Sequence, residues 1–366
     1  MTTKKETKAP KASKAKVAKV KPPKEKKPPK APKEKKPPLR TRWSTFVTRN
    51  KMSEGYLLRN KITAASLWIF RTVLIFGLCF LILQPILNQI SVSFMAWEDL
   101  FNPIVISVPY NFSVMNFQVV SEIIDYWPSL LRTIGITLLV SVLQIIACTL
   151  AGYGFARYKF PFKNFWFMCV ILTIIVPPQT IMAPLYLNFR FFDIFGIITL
   201  INGQPLNLLN TLTGYLILVS TGMGLRSGLY IFMLRQHFRN MPKELEEAAY
   251  VDGCGQFRTF LQIMLPDAKP MVVSCFLFSF VWQWTDSFYA TLFLNSHNVL
   301  AIGLGSLADR FRDYYAAIYD VIQPPMAITQ AVIATGMLMT LIPLIILYIF
   351  AQRAFVESVS QTGIKM

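Results

Sequence analysis

The sequence predicts an all-α, polytopic membrane protein of six transmembrane helices, on three observations. Of its 366 residues, 54% are hydrophobic, more than a soluble domain usually carries. The apolar residues gather into six runs, near 68–90, 134–153, 165–187, 212–234, 270–292 and 327–350. Each run, as a helix, is long enough to cross about 30 Å of hydrocarbon. The connections between runs differ in charge, with basic residues concentrated on one side, as oriented membrane insertion requires.

The chain opens on a basic segment. Residues 1–66 hold 21 Lys and Arg against 4 Glu, whereas the rest of the chain holds 16 against 15. The net charge of +18 therefore belongs to a tail, and the folded part gives no indication of a nucleic-acid surface. Within residues 1–40, KPPKEKKPP at 21–29 recurs as KAPKEKKPP at 30–38. Such a Lys/Pro-rich stretch has nothing apolar to bury and predicts a disordered cytoplasmic tail. It also lacks the apolar core of a signal peptide. The tail suits either solvation with a role in topology or attraction to anionic lipids, at about 1 kcal/mol per basic residue near the surface. Residues 41–66 set Trp43, Phe46, Tyr56, Leu57 and Leu58 among basic residues, which predicts a juxtamembrane or interfacial helix. The six-helix domain is then 67–366.

Orientation follows from the connections. The turn after the second run carries Arg157, Lys159 and Lys163, and the loop after the fourth carries Arg235, Arg239, Lys243, Arg258 and Lys269. Loop 91–129 has neither Lys nor Arg but has Glu98, Asp99, Glu122 and Asp125. Both termini are thus expected in the cytoplasm. The outer loops are 91–131, about 188–211 and about 293–326; the last holds Asp309-Arg310-Phe311-Arg312-Asp313-Tyr314-Tyr315, suited to a partner or to solvent alike. Pro177, Pro178 and Pro184 should bend the third run. Gly222, Gly224 and Gly228 should loosen the fourth near its middle.

Residues 242–266 form a polar island between two apolar runs. Pro242 suits a first helical turn. Glu244, Glu246 and Glu247 follow where the helix dipole favours negative charge. Gly253 is placed to end that helix, and a second short helix is expected from Gln256 to Leu265, closed by Pro266. The spacing predicts two short helices at an angle, outside the bilayer.

Arg226 stands nine residues before Arg235, about 13 Å along a helix and so near the bilayer midplane. A charge at that depth usually faces a cavity or a partner. It is a candidate pathway residue for substrate hydroxyls or a carboxylate, or else a structural Arg. Trp282, Gln283, Trp284 and Asp286 form a second candidate cluster, whose rings can stack on sugars and whose polar groups can bind hydroxyls. Asp286 needs a partner, for which Arg226 is available. Gln144 is a further candidate; interhelical hydrogen bonding is the alternative for all of these. Cys79, Cys148, Cys169, Cys254 and Cys275 have no paired spacing, and His237 and His297 have no ligand neighbours, so neither a metal site nor a catalytic triad is expected. The absence of a Gly-x-x-x-x-Gly-Lys-Ser/Thr motif means that the chain is not its own P-loop ATPase.

The 242–266 island resembles the EAA loop of ABC-importer permeases: Glu-Ala-Ala, three residues, Gly, nine residues, Ile-x-Leu-Pro. Glu247-Ala248-Ala249, Gly253, Ile263 and Leu265-Pro266 fit every position. From about residue 67 onward the chain is similar to the MalG-type, binding-protein-dependent permease of carbohydrate ABC importers. Leu234-Arg235-Gln236-His237-Phe238 resembles that family's approach to its coupling helix, and Trp284-Thr285-Asp286-Ser287-Phe288 its fifth-span motif. Gln352-Arg353-Ala354-Phe355-Val356-Glu357 with Gly363-Ile364-Lys365 resembles its C-terminal ending.

The resemblance implies the type I ABC-importer permease fold and a coupling loop over 236–268. Glu244, Glu247, Ala248, Ala249, Asp252, Gly253, Ile263, Leu265 and Pro266 would couple it to a groove on a cytoplasmic ATPase. It implies a second, MalF-like permease, an ATPase dimer and an extracellular substrate-binding protein as partners, a sugar or oligosaccharide as substrate, and the bacterial cytoplasmic membrane as location. It implies no covalent chemistry and no cofactor for this chain, ATP and Mg being used by the ATPase. The long basic tail, the Gly222–Gly228 stretch around Arg226, which looks like an insertion, and the long third outer loop depart from the family pattern. Alternatives are a same-fold permease for a peptide or other non-sugar solute, and a non-ABC membrane transporter or scaffold, which would lack an ATPase partner.

Overall fold

The computed structural model describes residues 47–53, 55–105 and 108–363, without the side chains of 57 and 353–363. The expected tail over 1–40, Trp43 and Phe46, and the side chains of the C-terminal pattern from residue 353 onward lie outside the described residues.

Regular structure among the described residues is helical, apart from isolated bridges joining Met95 to Phe112 and Phe192 to Leu206. The first run lies in α1 (Tyr56–Ser93), which starts just after Gly55, at φ +83°. The expected boundary at 66/67 thus falls inside a continuous helix. Contacts divide the chain between Gly77 and Leu78. In the first unit the apolar side chains of α1, Leu67 to Phe76, stand exposed, as lipid-facing residues would.

The second unit continues with α2 (Met115–Ile123), α3 (Tyr126–Arg157), α4 (Lys163–Ile175), α5 (Met182–Arg190), α6 (Ile197–Asn202), α7 (Leu212–Ser220), α8 (Ser227–Asn240) and α9 (Glu244–Val251). There follow α10 (Gln256–Asp267), α11 (Lys269–Thr285), α12 (Phe288–Phe293), α13 (Leu300–Gly305), α14 (Leu307–Tyr319) and α15 (Met326–Gly363). Among the described residues, three stretches are long and apolar enough to cross a membrane as single helices, in α1, α3 and α15; two bent pairs raise the number to five.

The third run bends at the prolines expected to bend it, the fourth breaks within the glycine stretch expected to loosen it, and the fifth is shorter than expected. The third is bent by 106° between α4 and the Pro178–Arg190 segment. Pro178 has no N–H to give, and Val176 and Pro177, each preceding a proline, are extended at ψ 119° and 139°. The fourth is interrupted outright between α7 and α8, where Gly222 and Arg226 hold φ +73° and +57°. The fifth stops at Thr285, because Asp286 turns extended (ψ 116°) and its carboxylate accepts from Phe288 N and Tyr289 N at 3.1 and 3.0 Å, opening α12.

α3 is the central post, packed against α7, α8 and α11. Its closest approach is at Gly152, where an added Cβ would meet Leu234 Cβ at 2.9 Å and Arg235 N at 3.1 Å. We expect Gly152→Val to lower the melting temperature of the purified protein through about 1–3 kcal/mol of overpacking. Gly154→Ala, which faces open space, should not. Equal melting of both variants would contradict this packing.

The 309–315 segment, expected as loop, lies in α14. Leu307 and Phe311 are fully buried one turn apart, so tertiary burial makes it a helix, and Arg312 pairs with Asp309 at 3.4 Å on its surface. Loop 94–112 is organised by the buried Asp99, which accepts from Tyr110 N (2.9 Å), Asn111 N (2.6 Å) and Asn111 Nδ2 (2.9 Å).

Candidate coupling loop and polar cleft

The 242–266 segment forms two helices beyond the end of α8. α9 opens with Glu244, Glu246 and Glu247 in its first turn and ends before Gly253, at φ +80°. A left-handed turn there suits glycine. α10 begins at Gln256 as the spacing predicts, but Pro266 does not close it; the chain runs on to Asp267 and bends 76° into α11. Phe260–Met264 is wound as a π-helix, with Phe260 and Met264 buried.

The expected coupling residues divide by face. Glu244, Glu247, Ala248, Asp252, Gly253 and Pro266 are exposed, Ile263 and Leu265 are half-buried, and Ala249 is buried against the bundle. Leu245, Val251 and Phe257 are also exposed, at 42%, 87% and 70%, giving the outward face an apolar component.

The residue that sequence reasoning missed is Glu246. It is buried, accepts from Tyr153 Oη at 3.0 Å, and lies 3.4 Å from Arg157 Nε. Arg157 also donates through Nη2 to Met241 O at 2.9 Å. The end of α3 therefore holds both α9 and the strap before it. A local signal existed: Glu246 and Ala249 are three apart and share a helix face, while Glu247 points elsewhere. Beside this pair, burial and then the Glu246 carboxylate raise the Tyr250 pKa above the ordinary tyrosine value.

The candidate pathway residues also divide. Arg226, Trp282 and Asp286 line one cleft of about 510 Å³, together with Pro177, Gln179 and Thr285. The Arg226 guanidinium carbon lies 3.8 Å from the centroid of the Trp282 ring. The expected pairing of Asp286 with Arg226 is not found among the described ion pairs; the carboxylate caps α12 instead. The cleft thus offers an exposed cation, a stacked indole and several hydroxyl and amide groups.

Gln144, Gln283 and Trp284 lie in the bundle interior. Gln144 is wholly buried. Its Nε2 donates to Leu225 O (2.6 Å) and Ser227 Oγ (2.8 Å), and its Oε1 accepts from Ser279 Oγ (2.7 Å) and Gln283 Nε2 (3.1 Å). Tyr215 Oη donates to Gln283 Oε1, and Trp284 Nε1 to Thr340 O at 3.2 Å. These three side chains are engaged in interhelical bonds that satisfy their polar atoms. Among the described residues, no three His, Cys, Asp or Glu side chains gather as a metal site.

Residues 144–361 match the family described as binding-protein-dependent transport system inner membrane component. The arabinooligosaccharides transport system permease protein AraQ of Halalkalibacterium halodurans is 26% identical, over 79% of this chain and 93% of that one. The maltodextrin transport system permease protein MdxG of Bacillus subtilis is 26% identical, over 64% of this chain and 74% of the relative. Among solved structures, a bacterial ABC transporter involved in the import of the acidic polysaccharide alginate superposes with a TM-score of 0.61 at 20% identity, covering 78% of this chain and 95% of that one. That likeness is one of fold.

Proposed function

Because the chain belongs to the family of binding-protein-dependent transport system inner membrane components, we propose that it is the permease subunit of an ATP-driven sugar or oligosaccharide importer. It is a transport component and not an enzyme. The observation that carries the proposal is the α9–α10 pair: two short helices beyond the bundle, hinged at Gly253, with Glu247 and Ala248 of the Glu-Ala-Ala pattern turned outward. The sugar assignment is supported by relatives described as arabinooligosaccharide and maltodextrin permeases.

In this reading the apolar segments make six membrane passes, α7 and α8 together forming one interrupted pass. Both termini lie in the cytoplasm of a bacterial cell, with 1–40 a basic tail near anionic lipids, 41–66 a juxtamembrane segment and 67–366 the permease domain. A second, MalF-like permease completes the pathway. An ATPase dimer uses ATP and Mg, and an extracellular binding protein delivers the substrate. Glu244, Glu247, Ala248 and Asp252 meet the ATPase, while Ala249, Ile263 and Leu265 seat the loop on the bundle and Pro266 stays exposed beside them. When the ATPase subunits close, the paired loops move together and the helices switch from inward- to outward-facing. The Arg226–Trp282–Asp286 cleft is the part of the pathway that contacts substrate.

The test joins composition to transport. A mild-detergent pull-down should recover a second permease, a P-loop ATPase and a solute-binding protein. Gly253→Pro and Glu247→Lys should each reduce uptake to background while membrane insertion is unchanged. Repeated recovery of the intact chain without companions, or wild-type uptake in either variant, would overturn the coupling assignment.

A further inference from the structure

The turn between α3 and α4 gathers positive charge. Lys163 opens α4 and donates through Nζ to Tyr158 O at 2.8 Å. Arg235 of α8 reaches the same turn: its Nε donates to Phe155 O at 3.3 Å, and its guanidinium carbon lies 3.7 Å over the Phe167 ring. Arg239 stands one turn further along α8, on the same face. The like charges of Arg235 and Arg239 both act on Lys163. No described Asp or Glu lies within ion-pair distance of these three cations, the described pairs being those of Arg157 and Arg312. Their mutual repulsion calls for an anion from elsewhere.

The surface around the cluster identifies that anion's source. Phe162 is 78% exposed and is held at φ +56°, a conformation that non-glycine residues rarely adopt. Phe165 and Trp166 are 54% and 53% exposed, and none of the α4 side chains is buried. Cations rimmed by exposed aromatic rings at the end of an apolar helix match the headgroup level of a bilayer. An anion from solution would leave those rings in water.

We propose that Lys163, Arg235 and Arg239 bind the phosphate of an anionic phospholipid, with Phe162 and Trp166 seated beside its glycerol and upper acyl groups. The site is separate from the substrate cleft and does not depend on which solute is carried. A lipid there bridges α4 to α8, and α8 leads directly into the coupling loop.

The test uses the full-length chain in nanodiscs of mixed phosphatidylcholine and phosphatidylglycerol, with retained lipids counted by native mass spectrometry. Lys163→Gln/Arg239→Gln should lower phosphatidylglycerol retention about tenfold relative to phosphatidylcholine. Lys163→Arg/Arg239→Lys should restore it. Arg235, bonded to the turn, is left intact, and the basic tail is common to all the proteins compared. Retention equal to wild type in the double Gln variant would overturn the proposal. So would displacement of the lipid by excess inorganic phosphate, which marks a simple anion site. Loss of a co-purifying ATPase with lipid retention unchanged would instead assign the cluster to a protein contact and equally overturn it.

Discussion

Arg157→Ala should abolish transport while the chain still inserts in the membrane. The Arg157 and Glu246 side chains are only 7% and 11% exposed, and they meet at 3.4 Å. Removing the guanidinium leaves the Glu246 carboxylate buried with Tyr153 Oη as its remaining partner and frees Met241 O. Breaking one side of a buried pair costs about 3–5 kcal/mol, enough to detach α9 from the end of α3. The detached loop can still meet an ATPase through its exposed Glu244 and Glu247, but its movement no longer reaches the bundle. The expected signature is therefore lost uptake with ATPase co-purification retained and faster proteolysis within 242–256. Glu246→Gln should be milder, because an amide oxygen still accepts from Tyr153. Wild-type uptake by Arg157→Ala would show that this pair does not transmit the motion.

Gln144→Leu should have the second large effect, on stability. Leucine nearly fills the volume but satisfies none of the four bonds, leaving Leu225 O, Ser227 Oγ, Ser279 Oγ and Gln283 Nε2 to find other partners. Each buried group left unpaired costs about 1–3 kcal/mol. Leu225 and Ser227 flank Arg226 at the start of α8, so the loss falls on the α7–α8 interruption and on the Arg226 cleft. The purified variant should melt well below wild type, with faster hydrogen exchange across 221–228 than at the α9 end. An unchanged melting temperature would show that the interruption is held by other contacts.

The readable features were those set by neighbours in sequence. Pro242, the three glutamates and Gly253 act within one or two turns, so the start and stop of α9 follow from local capping and dipole preferences. The start of α10 at Gln256 was equally legible. The apolar runs announced a membrane chain because length and hydropathy are summed along the chain.

What the sequence by itself determined, then, was the helical membrane class, the placing of the paired helices over 242–266 and the family resemblance that they carry. The tertiary structure decided where the helices break and which polar groups meet. The glycines around Arg226 announced a loosened fourth run, but only the packing showed Gln144 from α3 taking up the Leu225 carbonyl that the interruption exposes. Asp286 and Arg226 carry opposite charges, but two backbone N–H groups adjacent to the carboxylate hold it in place. Glu246 looks like its neighbour Glu247 until α3 brings Tyr153 and Arg157 against it. Gln144 and Glu246 found their partners on another helix, whereas Asp286 found its own two and three residues further along the chain. The two interhelical contacts depend on the packing of distant segments in three dimensions, and the order of residues along one helix does not name the partner.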